Sequence, residues 1–353
     1  MSSSERASAG HEVAGCHAGP ADRFRVTILP GRDEFWAGPD EDLLTAALRG
    51  GIWVPYGCRH GNCGTCKHLL VDGEIVEGDI SPYALCREEH DGGAVLLCSS
   101  SARSDLTIER TRVERDGHGD LIPPERFPAT VTGVSALSAA LFEVRLKPSR
   151  PLAFWAGQYL EIWVPGTNRR RSYSIASPPS SRDELVLVIR RLPGGASSAV
   201  VDRVRPGDVL DIEGPFGSLR FIESGRPVIM VALGHGIAPF LSMLRDSSER
   251  RVSVPITLYY GGSPEERAFG SELAGLGGSL AGFEVVQPTG TTGDGSGLSV
   301  LTQLVAGALR DASCYDAYLS GSPAMCDALG MLLAAKGLPE DRIRSEKFYP
   351  ALR

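Results

Sequence analysis

Residues 1–22 are rich in Ser, Ala and Gly and carry no apolar period, which predicts a disordered tail. Phe24-Arg25-Val26-Thr27-Ile28-Leu29 then alternates as a half-buried strand does. Asp40 is placed to cap a helix whose apolar face is Leu43, Leu44, Ala47 and Leu48 and which ends at Gly50-Gly51. Lys67 to Val71 reads as a strand, and the run Ala94-Val95-Leu96-Leu97 as a buried one. Residues 113–127 are polar and bear Gly and Pro, as a linker does. Short alternating segments at 129–134, 141–146, 157–164 and 185–190 follow, and that spacing favours an antiparallel barrel. From Val228 the pattern changes. The fully apolar Val228-Ile-Met-Val-Ala-Leu233 leads into Gly234-His235-Gly236 and an amphipathic helix from about Pro239 to Arg250. Strands at 256–260 and 315–319 and a helix at 323–336 continue the alternation, which predicts a parallel α/β sheet. Thr289 to Leu298 is Gly/Thr-rich and reads as a loop, and the chain contains no internal repeat.

A chain of 353 residues, 42% of them apolar, is long enough for two or three cores. No run approaches the roughly 20 apolar residues of a membrane span. Met1-Ser-Ser-Ser-Glu-Arg lacks the apolar core of a secretory signal, so a cytoplasmic protein without a membrane partner is expected. The net charge of −7 argues against nucleic-acid binding. Residues 23–112 hold 14 Asp/Glu against 10 Lys/Arg, and Asp72, Glu74, Glu77 and Asp79 could steer a partner that bears a basic patch.

Four of the eight cysteines change the picture most. Cys58, Cys63 and Cys66 read C-x4-C-x2-C within a Gly-rich loop, and Cys98 ends the apolar run that follows. This is the spacing with which plant-type ferredoxins hold a [2Fe–2S] cluster on four thiolates. Structural zinc usually takes two Cys or Cys/His pairs, and Cys98 has no partner nearby. A disulfide framework does not suit a long chain without a signal. Cys16 falls in the tail, and Cys86, Cys314 and Cys326 read as small apolar residues. The order strand, helix, cysteine loop suits a β-grasp ferredoxin.

Arg171-Ser172-Tyr173-Ser174, preceded by Gly157-Gln158-Tyr159 and followed by Gly214-Pro215-Phe216-Gly217, resembles the flavin-binding R-x-Y-S motif of the ferredoxin–NADP reductase superfamily. A guanidinium suits a pyrophosphate, an aromatic ring can stack on an isoalloxazine, and the Ser174 hydroxyl can bond the flavin N5 edge. Arg169 and Arg170 read as a solvated basic edge. Gly195 and Ser198 resemble the second flavin element of that superfamily, at a helix start. Gly234, Gly236 and Pro239 lie in a match to its nicotinamide-side G-x-G-x-A-P loop, with His235 where a small residue is usual. Ser320, Gly321 and Met325 resemble its C-G-P-x-x-M element, with Ser320 for Cys. Glu346 and Phe348 resemble its terminal E-x-F, whose aromatic can cover the flavin. Glu265 and Glu266 would repel a 2′-phosphate, which favours NADH, although Arg267 opposes them.

The resemblance implies a multidomain α+β chain: a β-grasp ferredoxin domain at 23–112, the linker at 113–127, an antiparallel β-barrel flavin domain at 128–224 and a parallel α/β nucleotide-binding domain at 225–353. This order resembles the NADH-dependent reductase components of bacterial multicomponent oxygenases. With Ser81-Pro82-Tyr83-Ala84-Leu85 and Glu88-Glu89, the chain looks most like the phenol hydroxylase type, which feeds di-iron monooxygenases. FAD, NADH and a [2Fe–2S] cluster are the implied cofactors, and an oxygenase or hydroxylase component is the implied electron acceptor. Ser174, Ser320 and Glu346 are the implied catalytic residues. A Rieske dioxygenase, a deoxysugar dehydratase and a redox-sensing role are the alternatives.

Overall fold

The computed structural model describes residues 22–111, 121–167, 169–192, 196–266, 268–288 and 297–350. The expected tail lies outside them except for Asp22, as do Gly195, Arg267 and most of the expected 289–298 loop. Three large sheets and a two-stranded one carry the fold of the described residues.

The first sheet is mixed. Its region of the chain runs β1 (Phe24–Leu29), β2 (Asp33–Ala37), α1 (Leu43–Arg49), β3 (Lys67–Asp72), β4 (Ile75–Glu77), α2 (Arg87–Asp91), β5 (Ala94–Leu96), β6 (Ser100–Ala102) and β7 (Leu106–Arg110). Its order is β2-β1-β7-β3-β5, with β4 and β6 paired beside it. Val26 and Ile28 alternate inward from β1 onto Leu43, Leu44 and Leu48 of α1. The cap of α1 is Asp42, not Asp40: its carboxylate accepts the Thr45 N–H at 2.8 Å. A cap must adjoin the first helical residue, and Asp40 lies in the turn before it. The strand expected to deliver Cys98 stops at Leu96, and a 3₁₀ turn over Leu97–Ser99 carries the cysteine.

The second sheet is antiparallel. It contains β8 (Glu125–Ala136), β9 (Leu141–Pro148), β10 (Tyr159–Trp163), β11 (Arg170–Ser174), β12 (Leu185–Arg190), α3 (Ala196–Arg203) and β13 (Val209–Phe216) in the order β11-β10-β13-β8-β9-β12. A bridge between Ile175 and Leu187 joins its two ends into a nearly closed barrel. Inward residues such as Val131, Val144, Leu160, Ile162 and Leu187 fill it. The first barrel strand begins at Glu125, inside the stretch read as linker.

The third sheet is parallel, in the order β16-β15-β14-β17-β18. It contains β14 (Val228–Leu233), α4 (Ala238–Glu249), β15 (Ile256–Gly261), α5 (Gly270–Ser279), β16 (Phe283–Val286), α6 (Gly297–Ala308), β17 (Asp316–Gly321), α7 (Pro323–Ala335) and β18 (Ile343–Lys347). Its central strand β14 faces two cores at once, one with Met230 and Phe240, the other with Val231 and Leu329. This double burial accounts for its unbroken apolar run. Among the described residues, no helix is long and apolar enough to cross a membrane.

Candidate functional site

The loop between α1 and β3 gathers the four cysteines. Cys58, Cys66 and Cys98 are buried and Cys63 is half-buried. Backbone amides aim at the sulfurs: Asn62 N–H donates to Cys58 Sγ at 3.2 Å, Gly61 to Cys98 Sγ at 3.3 Å, Cys58 to Cys63 Sγ at 3.4 Å and Thr65 to Cys63 Sγ at 3.5 Å. Gly61 and Gly64 sit at φ of +74° and +71°. A Cβ on Gly61 would collide with the Asp79 carbonyl, and one on Gly64 would lie 2.7 Å from the Ala84 carbonyl. The loop therefore closes on the 79–85 segment only because both positions are glycine. The Cys58 thiol, then burial, raises the pKa of Cys63. The Cys58 hydrogen bond lowers Cys98, but the Cys66 thiol and burial together leave it well above its ordinary value. Crowded, buried thiolates of this kind are costly until cations neutralise them. Among the described residues, no group of three or more His, Cys, Asp or Glu side chains is arranged for a single metal ion. A dinuclear cluster asks only two thiolates of each iron, so the donor set and its amides fit [2Fe–2S].

Strands β10 and β11 bring most of the expected flavin residues into register: Tyr159 opposite Ser174, Leu160 opposite Tyr173 and Ile162 opposite Arg171. Tyr173 and Ser174 are buried and Ser172 is exposed. Arg171 is half-buried; its Nη1 donates to the Arg170 carbonyl at 2.7 Å, and no acid among the described residues pairs with it. Burial, and the charge of Arg169, hold its pKa below the ordinary value. Gln158 is engaged at both ends of its amide, accepting from Trp155 N–H in its own turn at 2.7 Å and donating to the Gly217 carbonyl just after β13 at 3.1 Å. Ser198 lies in the first turn of α3.

The expected nicotinamide residues converge at the C-terminal edge of the parallel sheet, where open α/β sheets bind ligands. Gly234 and Gly236 follow β14, and Gly236 lies directly against the Ser320 backbone. Ser320 is buried, and its Oγ has no hydrogen-bond partner among the described residues. Pro239 and Met325 are buried at the starts of α4 and α7. Phe348 N–H donates to the Gly321 carbonyl at 2.8 Å, and its ring stacks on His235 with centroids 5.1 Å apart. Burial holds the His235 pKa down at about 4. Glu346 is half-buried; burial, then the Cys63 sulfur, pushes its carboxyl up to about 8. Glu266 is ion-paired with Arg190 at 2.8 Å, while Glu265 is exposed.

The three regions meet. Tyr159 Oη donates to the Gly57 carbonyl at 3.1 Å, and Gly217 N–H donates to Tyr56 Oη at 2.6 Å. A Cβ on Gly217 would lie 3.5 Å from Glu346 Oε2. Asn62 Nδ2 donates to the Pro350 carbonyl at 2.8 Å, with His60 Nε2 at 3.2 Å from the same oxygen.

Two family models match the chain: a 2Fe-2S iron-sulfur cluster binding domain over residues 26–103 and an oxidoreductase FAD-binding domain over 129–221. The propane 2-monooxygenase reductase component of Mycolicibacterium smegmatis is 34% identical over 93% of this chain and 98% of its own. The chain belongs to the family of oxygenase reductase components. A phenol 2-monooxygenase reductase component of a Pseudomonas species is 33% identical, over 93% of this chain and 95% of its own. Among solved structures, the Amycolatopsis cytochrome P450 reductase GcoB superposes with a TM-score of 0.81 at 29% identity, covering 93% of this chain and 100% of that one.

For a member of this family, the unpaired Arg171 cation, the buried Ser174 and the start of α3 fit the acidic pyrophosphate and polar ring edge of FAD. Sequence reasoning missed a second set of groups. Arg170, read as a solvated edge, pairs with Glu161 at 3.3 Å, Asp42 at 3.5 Å and Glu213 at 3.6 Å. Arg59 pairs with Glu161 at 3.1 Å, and its guanidinium lies 3.4 Å from the Phe216 ring centroid. The available signal was Glu161 itself, an acid inside the otherwise apolar Tyr-Leu-Glu-Ile-Trp strand. Cys314, read as apolar, is exposed, whereas Cys326 is buried as expected.

Proposed function

We propose that this reductase draws its electrons from NADH and hands them to a soluble di-iron monooxygenase. When bound, FAD takes up a hydride and a [2Fe–2S] cluster passes electrons on one at a time. In this reading, Cys58, Cys63, Cys66 and Cys98 ligate the cluster. Arg171 binds the pyrophosphate with Gly195 and Ser198, Tyr173 stacks on the isoalloxazine, and Ser174 donates to its N5 edge. Ser320, Gly234, Gly236 and Gly321 shape the nicotinamide berth, Phe348 covers the flavin face until the nicotinamide arrives, and Glu346 is poised to hold a proton there. The work divides among residues 23–112, 128–224 and 225–353. The location is cytoplasmic.

One observation carries the reading: Tyr159, on the strand opposite Ser174, reaches the backbone of the cysteine loop, and Gly217 lies between that loop and Glu346. These contacts support a reading in which hydride donor, flavin and cluster share one junction. NADH is supported by the exposed Glu265, which disfavours a 2′-phosphate. The acidic surface of Asp72, Glu74 and Asp79, with Tyr83 97% exposed beside the cysteine loop, supports a basic-rimmed acceptor. A cytochrome P450 acceptor is the second reading, favoured by the likeness to GcoB.

The test is anaerobic mixing of the purified protein with NADH or NADPH, followed by absorption. Flavin and iron–sulfur bands that bleach faster with NADH are expected. A preference for NADPH would overturn the donor assignment. Turnover with a haem acceptor but not with a di-iron hydroxylase would favour the second reading.

A further inference from the structure

Arg59 follows the first cluster cysteine and takes a left-handed φ of 59°, a conformation unusual for a residue with a side chain. That turn sends its guanidinium out of the cysteine loop and onto the outer face of β10, between the inward-pointing Leu160 and Ile162. There the side chain is 1% exposed, and its partner Glu161, on β10, is 5% exposed. Arg59 Nη2 donates to Glu161 Oε2 at 3.1 Å and to Thr45 Oγ1 of α1 at 3.1 Å. Its plane lies against Phe216 at the end of β13. Glu161 Oε1 accepts from Ser172 on the flavin strand at 3.4 Å. Nε and Nη1 of Arg59 are buried without a partner among the described residues.

Such a pair is poorly explained by stability. Desolvating both charges offsets most of their attraction, and apolar replacements of similar volume are often neutral or stabilising. What an ion pair does supply is direction: Arg59 Nη2 meets Glu161 Oε2, which Arg170 also contacts at 3.3 Å, in one register. Electron transfer falls steeply with separation, so register between cluster and flavin matters more than the strength of the contact. We propose that Arg59 is a positioning residue whose buried pairing with Glu161 clamps the cluster loop onto β10 and fixes the path from flavin to cluster. The proposal rests on the flavin and iron–sulfur reading above.

The test uses the full-length protein loaded with both cofactors, in four forms: wild type, Arg59→Met, Glu161→Gln, and the double variant Arg59→Met with Glu161→Leu. Three quantities are read: the melting temperature, amide hydrogen exchange in peptides covering 56–66 and 159–163, and single-turnover flavin-to-cluster transfer after NADH mixing. Both single variants should exchange roughly tenfold faster in those peptides. They should also transfer electrons roughly tenfold more slowly, with unchanged flavin reduction by NADH and unchanged cluster circular dichroism. The double variant should regain the wild-type melting temperature but neither the protection nor the transfer rate. A role in stability alone would restore all three, and that result would overturn the proposal. So would wild-type exchange and transfer in Glu161→Gln, which decides the matter if Arg59→Met fails to incorporate iron. If the wild type bound neither iron nor flavin, the functional reading would fall, while the exchange arm would still report whether the clamp exists.

Discussion

His235 stays neutral in the fold down to about pH 4 although its ordinary pKa is 6.5, because burial penalises the imidazolium. The unfolded chain therefore binds a proton there that the folded chain does not. Stability linked to this residue is complete above pH 6.5 and falls as the pH drops toward 4. Replacing His235 with Gln should flatten that part of the acid limb, read as melting temperature against pH; an identical slope in the variant would contradict it. Ser174→Ala should slow flavin reduction by NADH and leave the cluster spectrum unaltered, whereas an equal reduction rate would deny the hydroxyl its role. At this scale the cysteines were legible because three of the four lie within nine residues of chain. Arg59 and Glu161 were not, because they stand 102 positions apart and only the folded chain pairs them.

Among the elements, the cysteine loop is the least forgiving. Gly64→Ala should cost roughly 1–3 kcal/mol of local strain, beyond the contact at the Ala84 carbonyl. Iron per chain should drop sharply while FAD content holds, as metal analysis beside the flavin absorbance would reveal. Iron retained in full would mean that the loop relaxes more readily than its backbone suggests. Strand β14 was readable from end to end because both its faces are buried, leaving no polar position to blur the pattern. The three-residue strands β4, β5 and β6 are too short to establish a period, and β4 and β6 went unseen. The short β18 is only half-buried and went unseen as a strand; only the motif resemblance of Glu346 and Phe348 marked that stretch of chain.

For the molecule as a whole, the order of regions could be read because each announces itself with a local motif. How they face one another could not, since the contacts that join them, such as Tyr159 to Gly57 and Asn62 to Pro350, link distant parts of the chain. Asn62→Ala removes one of the two side-chain contacts to the Pro350 carbonyl. Hydrogen exchange across 343–350 should rise in that variant while the 24–29 strand stays protected; unchanged exchange would leave His60 as the tie that matters. Pro350 also has a practical bearing on handling the protein. Bulk placed directly after Pro350 would start beside the cysteine loop, whose Asn62 and His60 reach that carbonyl. A purification handle there should hamper cytochrome c reduction more than the same handle fused ahead of Met1, with flavin reduction equal in the two.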